Sequence, residues 1–369
     1  MATSNVKKIH EFDQSIWLDF IDRKIMDSGD LQKLIDEDGV RGVTSNPAIF
    51  EKAISSSSDY DQDIKELAQQ GKSNEDIFYG LAISDIQRAA DMFKPVYEEE
   101  VRGADGYISL EVSPHLARDT EGTIKQAREL WKAVGRDNVM IKIPGTAEGL
   151  AAIRTCISEG INVNVTLLFG LERYEAVTDA YVSGLEDRAA KGEPVDGIAS
   201  VASFFLSRID VLVDPQLDEK GLGDLKGEVA IALARKAYEI YLRVFGSDRF
   251  KKLEEKGATP QRVLWASTSS KNPAFSDVKY IEALIGPKTV NTVPMETLEA
   301  YRDHGQPADR LAAGIPEATE VLEKATQAGI DLEAVSQQLE DEGIEKFNKP
   351  YDKLLAAIDE QKQKALQSA

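Results

Sequence analysis

Apolar residues gather along the chain in eight short runs, and longer charged stretches of helical period separate them. The runs cover 15–21 (SIWLDFI), 40–45 (VRGVTS), 107–112 (YISLEV), 139–143 (VMIKI), 161–168 (INVNVTLL), 198–205 (IASVASFF), 262–266 (RVLWA) and 290–293 (VNTV). Each has the length and β-branched content of a strand buried on both faces. The intervening segments read differently. In 123–134, Ile124, Ala127, Leu130, Trp131 and Val134 recur at helical spacing, so one stripe faces a core. Strand alternating with helix predicts a parallel sheet covered by helices. Eight such units over roughly 280 residues predict an α/β fold in which the sheet closes into a (β/α)8 TIM barrel. The barrel is expected over about 15–305 of a single domain, with longer insertions after the second and sixth strands. Additional C-terminal helices are expected over about 306–369. The stretch from Tyr351 is amphipathic and suited to lie across a barrel face or to bind a partner.

Five runs carry polar residues among apolar ones. Asp19 interrupts the first, Glu111 the third, and Lys142 the fourth. Asn162, Asn164 and Thr166 alternate along the fifth and therefore share one face. The second ends in Thr44-Ser45-Asn46-Pro47. Taken singly, each fits a strand edge or a loop contact. Together they place one amine, two carboxylates and several amides and hydroxyls at the C-terminal strand ends, where barrels carry their chemistry. Burying any of these charges alone costs several kcal/mol, and the others supply partners of opposite sign. A lysine among Val, Ile and Met is desolvated, which disfavours its charged form and leaves a nucleophilic amine. That amine suits Schiff-base chemistry, with carboxylates to move the protons.

Composition narrows the alternatives. The 369 residues hold 44 Lys+Arg against 64 Asp+Glu, a net charge of −20, which disfavours nucleic-acid and membrane partners. One cysteine, Cys156, sits in a helical segment among apolar neighbours and is expected as a packed core thiol. His10, His115 and His304 are scattered, with no zinc-type spacing, and suit surface ion pairs or caps. No metal or cofactor is expected. The stretch 221–227 (GLGDLKG) lacks the spacing and the preceding strand of a dinucleotide fingerprint. The opening segment has no apolar signal region, and no run approaches ~18 apolar residues, so a cytoplasmic location is expected.

Five segments carry a family likeness: 42–50 (GVTSNPAIF), 109–114 (SLEVSP), 141–153 (IKIPGTAEGLAAI), 160–169 (GINVNVTLLF) and 203–210 (SFFLSRID). Together they resemble transaldolase, and 265–273 (WASTSSKNP) is similar to its long bacterial subfamily. The resemblance implies transfer of a dihydroxyacetone unit in the non-oxidative pentose phosphate pathway. The donors it implies are sedoheptulose 7-phosphate and fructose 6-phosphate; the acceptors are glyceraldehyde 3-phosphate and erythrose 4-phosphate. Carried over by motif, Lys142 attacks the donor ketone and Asp19 takes the C4 hydroxyl proton. Glu111 and Thr166 hold a water that relays protons, while Asn46, Asn164 and Ser203 hold the three-carbon unit. Arg208 is the phosphate cation, its alternative being an ion pair with Asp210 or Asp214. A second phosphate arginine found in many relatives is replaced here by Ser269, two residues after Ser267, and Lys271 is the candidate substitute. A related fructose-6-phosphate aldolase, which releases dihydroxyacetone, is the nearest competitor; Glu111 and Phe205 stand here where those shorter enzymes have Gln and Tyr. A catalytically dead sugar-phosphate sensor is the third reading, and it would have lost Lys142 or Asp19. Monomer and homodimer both remain open.

Overall fold

The computed structural model describes residues 3–100 and 103–367. Its eight strands are β1 (Gln14–Leu18), β2 (Gly42–Val43), β3 (Tyr107–Glu111), β4 (Val139–Pro144), β5 (Val163–Leu168), β6 (Ser200–Phe205), β7 (Arg262–Ala266) and β8 (Thr289–Val293). Each pairs in parallel with the next, and β8 pairs with β1 to close the barrel. All eight apolar runs thus become strands in the expected order. The second is cut to two residues, and Asp19, expected within a strand, lies just beyond β1.

The expected helix over 123–134 is Thr120–Val134, started by the Asp119 side chain accepting from Gly122 N. The long insertions fall where expected. Between β2 and β3 run helices Pro47–Ser55, Asp61–Gln69 and Asn74–Pro95; between β6 and β7 run Ser207–Glu219, Val229–Phe245 and Asp248–Glu254. Beyond β8, helix Ile315–Gln327 packs on Val229–Phe245. The final helix, Leu332–Gln367, crosses Pro47–Ser55, Asp61–Gln69 and Asn74–Pro95 and reaches the end of β5. Of the two placements open to the stretch from Tyr351, the barrel face is the one it takes. No helix among the described residues is long and apolar enough to cross a membrane.

The N-terminal end of the barrel is plugged by a buried polar knot. Asp105 accepts from Ser15 Oγ, from Trp17 Nε1 at 2.8 Å and from Arg262 at 3.0 Å. The Trp17 ring lies so close to Gly42 that a Cβ there would fall 2.6 Å from it, which fixes glycine at the entry to β2. Cys156 is a buried core thiol, as expected, and burial pushes it up to about 12. His115 and His304 pair at the surface with Asp352 and Asp277. His10 departs from that expectation. It sits at the N-terminal mouth with Nε2 buried and unpartnered, and burial pushes it down to about 4.

Candidate active site

Strand register turns sequence spacing into a row of side chains. Glu111 pairs with Lys142, and Lys142 with Asn164, so β3, β4 and β5 present a carboxylate, an amine and an amide at one level. Lys142 is 6% exposed and Glu111 4%, with Nζ 3.3 Å from Oε2. Nζ also donates to the Ser45 carbonyl at 2.9 Å. Glu111 Oε1 and the Thr166 hydroxyl are buried with no hydrogen-bond partner among the described residues, while Glu111 Oε2 is held by the Lys142 ion pair. Such groups are costly to strand, and their cost is recovered when a ligand or water joins them. Burial raises the Glu111 carboxyl above its ordinary value, and the Lys142 charge opposes this.

Asp19 stands across the cavity at the end of β1. Thr44 Oγ1 donates to its Oδ1 at 2.6 Å, and Thr292 Oγ1 lies 2.7 Å from Thr44 Oγ1, extending the relay to β8. Burial raises the Asp19 carboxyl, opposed first by Lys142, then by the Thr44 hydrogen bond and by Arg208. Two carboxylates raised by burial, beside one amine, are the equipment for moving protons.

Each residue of the Thr-Ser-Asn-Pro segment has its own task. Thr44 holds Asp19, and the Ser45 carbonyl holds the Lys142 amine. Asn46 caps helix Pro47–Ser55 by accepting from Ile49 N at 3.0 Å, and Pro47 opens that helix. Capping occupies Asn46 Oδ1 and leaves its Nδ2 donor for a ligand. Asn164 is fixed from both sides, donating to Ser109 Oγ at 3.0 Å and accepting from Ser203 Oγ at 2.7 Å. Asn162, on the same strand face, serves structure instead: it donates to the carbonyls of Asp137 and Val139 and accepts from Ala199 N. A bulge in β5 between Val165 and Leu168 puts Leu167 in the left-handed region at φ 61°, directly after Thr166. Ser267, at φ 54°, is the other strained residue at the site, and its Oγ lies 2.9 Å from Ser207 Oγ.

These side chains converge on a cavity of about 250 Å³ at the C-terminal mouth, which Lys142, Asp19, Asn46, Thr166, Ser203, Arg208, Ser267 and Lys271 all line. Glu111 stands behind Lys142, and Asn164 below Ser203. The expected alternative for Arg208 does not occur. Asp210 accepts instead from Tyr280 Oη at 2.6 Å and from Ala230 N, and Asp214 from Gly227 N. Arg208 Nη1 is buried without a hydrogen-bond partner. Lys271 lies exposed at the rim and donates to Ser269 Oγ at 2.7 Å, so the residue expected to replace the missing arginine and the residue that displaced it sit together. The cations Lys142, Arg208 and Lys271 are balanced at the site by Asp19, Glu296 and the Glu111 that pairs with Lys142, so the cavity is locally neutral within a chain of net charge −20.

Thr44, already picked out as part of the Thr-Ser-Asn-Pro segment, also lines the cavity, as do Thr292, Glu296 and Phe347, which escaped the sequence reading. Thr292 was open to the reasoning that found Glu111, being polar within an apolar strand. Phe347 carried no such signal. A larger cavity of about 900 Å³ opens at the opposite mouth, around Gln14, Arg41, Tyr107 and Arg262. There Arg262 and Lys288 are neutralised by Asp105 and Asp13, and no lysine–carboxylate pair is buried among the described residues, so the smaller cavity is the chemical one.

Comparison with known proteins agrees. Residues 16–358 match the model of the transaldolase/fructose-6-phosphate aldolase family. A transaldolase of Trichodesmium erythraeum is 50% identical, covering 99% of both chains. One from Saccharopolyspora erythraea is 48% identical over 98% of both, and transaldolase 2 of a Nostoc species is 46% identical over 97% of this chain and 98% of its own.

Proposed function

This chain belongs to the transaldolase/fructose-6-phosphate aldolase family, and from that premise we infer how its residues carry the transfer. The activity is that of a transaldolase, moving a dihydroxyacetone unit from sedoheptulose 7-phosphate or fructose 6-phosphate to an aldose phosphate in the non-oxidative pentose phosphate pathway. The observation that carries the assignment of residues is the buried Lys142 amine. It lies 3.3 Å from Glu111 and shares one cavity with Asp19 and an unpaired Arg208.

Lys142 Nζ, having passed a proton to Glu111, adds to the donor C2 carbonyl. Glu111 and Thr166, with a water between them, return protons to the carbinolamine oxygen, which leaves as water to give the iminium. Asp19 then takes the C4 hydroxyl proton. The C3–C4 bond breaks, its electron pair flows into the iminium, and an aldose phosphate departs. The enamine stays on Lys142, positioned by Asn46, Asn164 and Ser203. An acceptor aldehyde captures it, Asp19 returns the proton, and water releases the new ketose. Arg208 binds the phosphate, with Lys271 and Ser267 at the far side. The reaction runs in the cytoplasm on free sugar phosphates, with no membrane or nucleic-acid partner, in a monomer or homodimer. The barrel and the helices beyond residue 305 act as a single domain, because the final helix completes the cavity.

Borohydride reduction in the presence of fructose 6-phosphate tests this. A reduced dihydroxyacetone adduct on the Lys142 peptide, diminished when erythrose 4-phosphate is added first, is the expected result. An adduct on another lysine would overturn the assignment.

A further inference from the structure

The last helix brings an aromatic ring over the reaction centre. Gly343, Phe347 and Tyr351 are spaced four apart and form one stripe along Leu332–Gln367. A Cβ on Gly343 would lie 3.0 Å from Leu167 Cδ2, so the helix settles directly on the β5 bulge that follows Thr166. Tyr351 anchors the other end. It is buried, its hydroxyl donates to Glu75 at 2.7 Å, and its ring meets Phe78 edge-on at 5.6 Å. Between these anchors the Phe347 ring is 5% exposed and faces the cavity. Its centroid is 5.9 Å from Lys142 Nζ and 6.0 Å from the Arg208 guanidinium carbon, whose other neighbour is the Phe205 ring at 5.3 Å. One side chain therefore spans both ends of the substrate site, the amine and the phosphate cation.

We propose that Phe347 is the residue that keeps the chain a transferase, by roofing the Lys142 enamine against water while it holds the Arg208 guanidinium in place. The inference rests on the Schiff-base reading of Lys142. After cleavage the enamine has two fates. In transfer, its carbon attacks an acceptor aldehyde. In release, a proton adds at that carbon to regenerate the iminium, water adds to the iminium carbon, and the carbinolamine collapses to dihydroxyacetone and the free amine. Both fates end in hydrolysis of an iminium; they part earlier, where the enamine carbon takes either a proton, delivered through water, or an acceptor aldehyde, so a ring that shields that carbon from water slows release selectively. The ring also meets two cations, the iminium when it forms and Arg208, each attracted to its face. Nothing polar is offered by Phe347, so its effect falls on the partition between fates rather than on bond-making.

The test compares the unsubstituted protein with Phe347→Ala and Phe347→Leu. Dihydroxyacetone formed from fructose 6-phosphate alone measures release; sedoheptulose 7-phosphate formed on adding erythrose 4-phosphate measures transfer. Phe347→Ala should raise the release-to-transfer ratio at least about tenfold, the scale of a lost water barrier and cation contact. Phe347→Leu, which keeps apolar volume, should fall between. Borohydride trapping is run on each variant. An adduct on Lys142 with an unchanged ratio overturns the role of Phe347 and leaves the Schiff-base reading intact. No Lys142 adduct in the unsubstituted protein overturns that reading instead. If Phe347→Ala does not fold, Phe347→Leu decides: a ratio equal to that of the unsubstituted protein refutes the proposal.

Discussion

The hydrogen bond from Thr44 to Asp19 offers the sharpest test of the acid–base assignment. Thr44→Val keeps the shape of the side chain and deletes one hydroxyl. That hydroxyl donates to Asp19 Oδ1 at 2.6 Å and meets Thr292 Oγ1 at 2.7 Å, so its loss strips Asp19 of the donor that follows β2 and leaves Thr292 without that hydroxyl contact. A hydrogen bond to a charged acceptor is worth about 1.5–3 kcal/mol. The bond favours the ionised form, against the burial that already raises the carboxyl. Removing it must raise Asp19 further. A base works only when ionised, so the acid limb of the pH–rate profile should move to higher pH in Thr44→Val. On that limb kcat/KM should drop by about 10- to 100-fold, the rate equivalent of the lost bond, with much smaller loss on the alkaline plateau. Thr44→Ser retains the hydroxyl and should keep the original profile. The assay is aldose phosphate release from fructose 6-phosphate in the presence of erythrose 4-phosphate, from about pH 5 to pH 9. An acid limb that stays in place, or moves to lower pH, would refute Asp19 as the cleavage base. So would a Thr44→Ser profile that matches Thr44→Val.

Four further outcomes follow from the structure. Asp19 is raised from an ordinary 3.8. The folded state therefore binds that proton more tightly than the unfolded chain, and stability is lost as pH rises through the raised value. Asp19→Asn should melt higher than the unsubstituted protein at pH 7 while losing activity, and the difference should vanish near the ordinary aspartate range; a difference that persists at low pH would contradict the linkage. Arg208→Ala should cut kcat/KM for phosphorylated donors by about 10²-fold and leave turnover of unphosphorylated fructose unaffected, with Arg208→Lys recovering only part, because a lysine cannot hold phosphate in a bidentate grip. Lys271→Ala, at an exposed rim, should cost less than about tenfold. Asp105→Ala should destabilise by about 2–3 kcal/mol in denaturant melts, short of a wholly buried pair because Arg262 keeps 18% exposure. Its kcat should not change, since the knot lies at the opposite end from the cavity; a fall in kcat would show that the two ends are coupled.

What could be read from sequence, and what could not, divides along a physical line. Glu111, Lys142 and Asn164 were visible because a strand has a fixed period and neighbouring strands a fixed register, so a polar residue in an apolar run already has a direction and a level. Asp19 was found one residue past its strand for the same reason. The period also misled in one place. It put Asn162 on the face of Asn164 without saying that its depth would give it to the Asp137 and Val139 carbonyls rather than to the cavity. Arg208 was identified by motif, yet only the fold shows that Asp210 and Asp214 are spent on Tyr280, Ala230 and Gly227 and cannot neutralise it. Phe347 was beyond reach, because its place depends on a helix returning across the mouth to touch residues about two hundred positions earlier, and an amphipathic stripe names no partner. The two groups rest on different supports. The bond-making residues are held by barrel register, in which a slip of one position would turn every side chain away from the cavity. The roof is held by packing between Gly343 and Leu167 and between Tyr351 and Phe78. Substitution there can alter which substrates enter, and how long the enamine lasts, while the geometry of Lys142 and Glu111 stays fixed. The roof is therefore where specificity can change without loss of the chemistry.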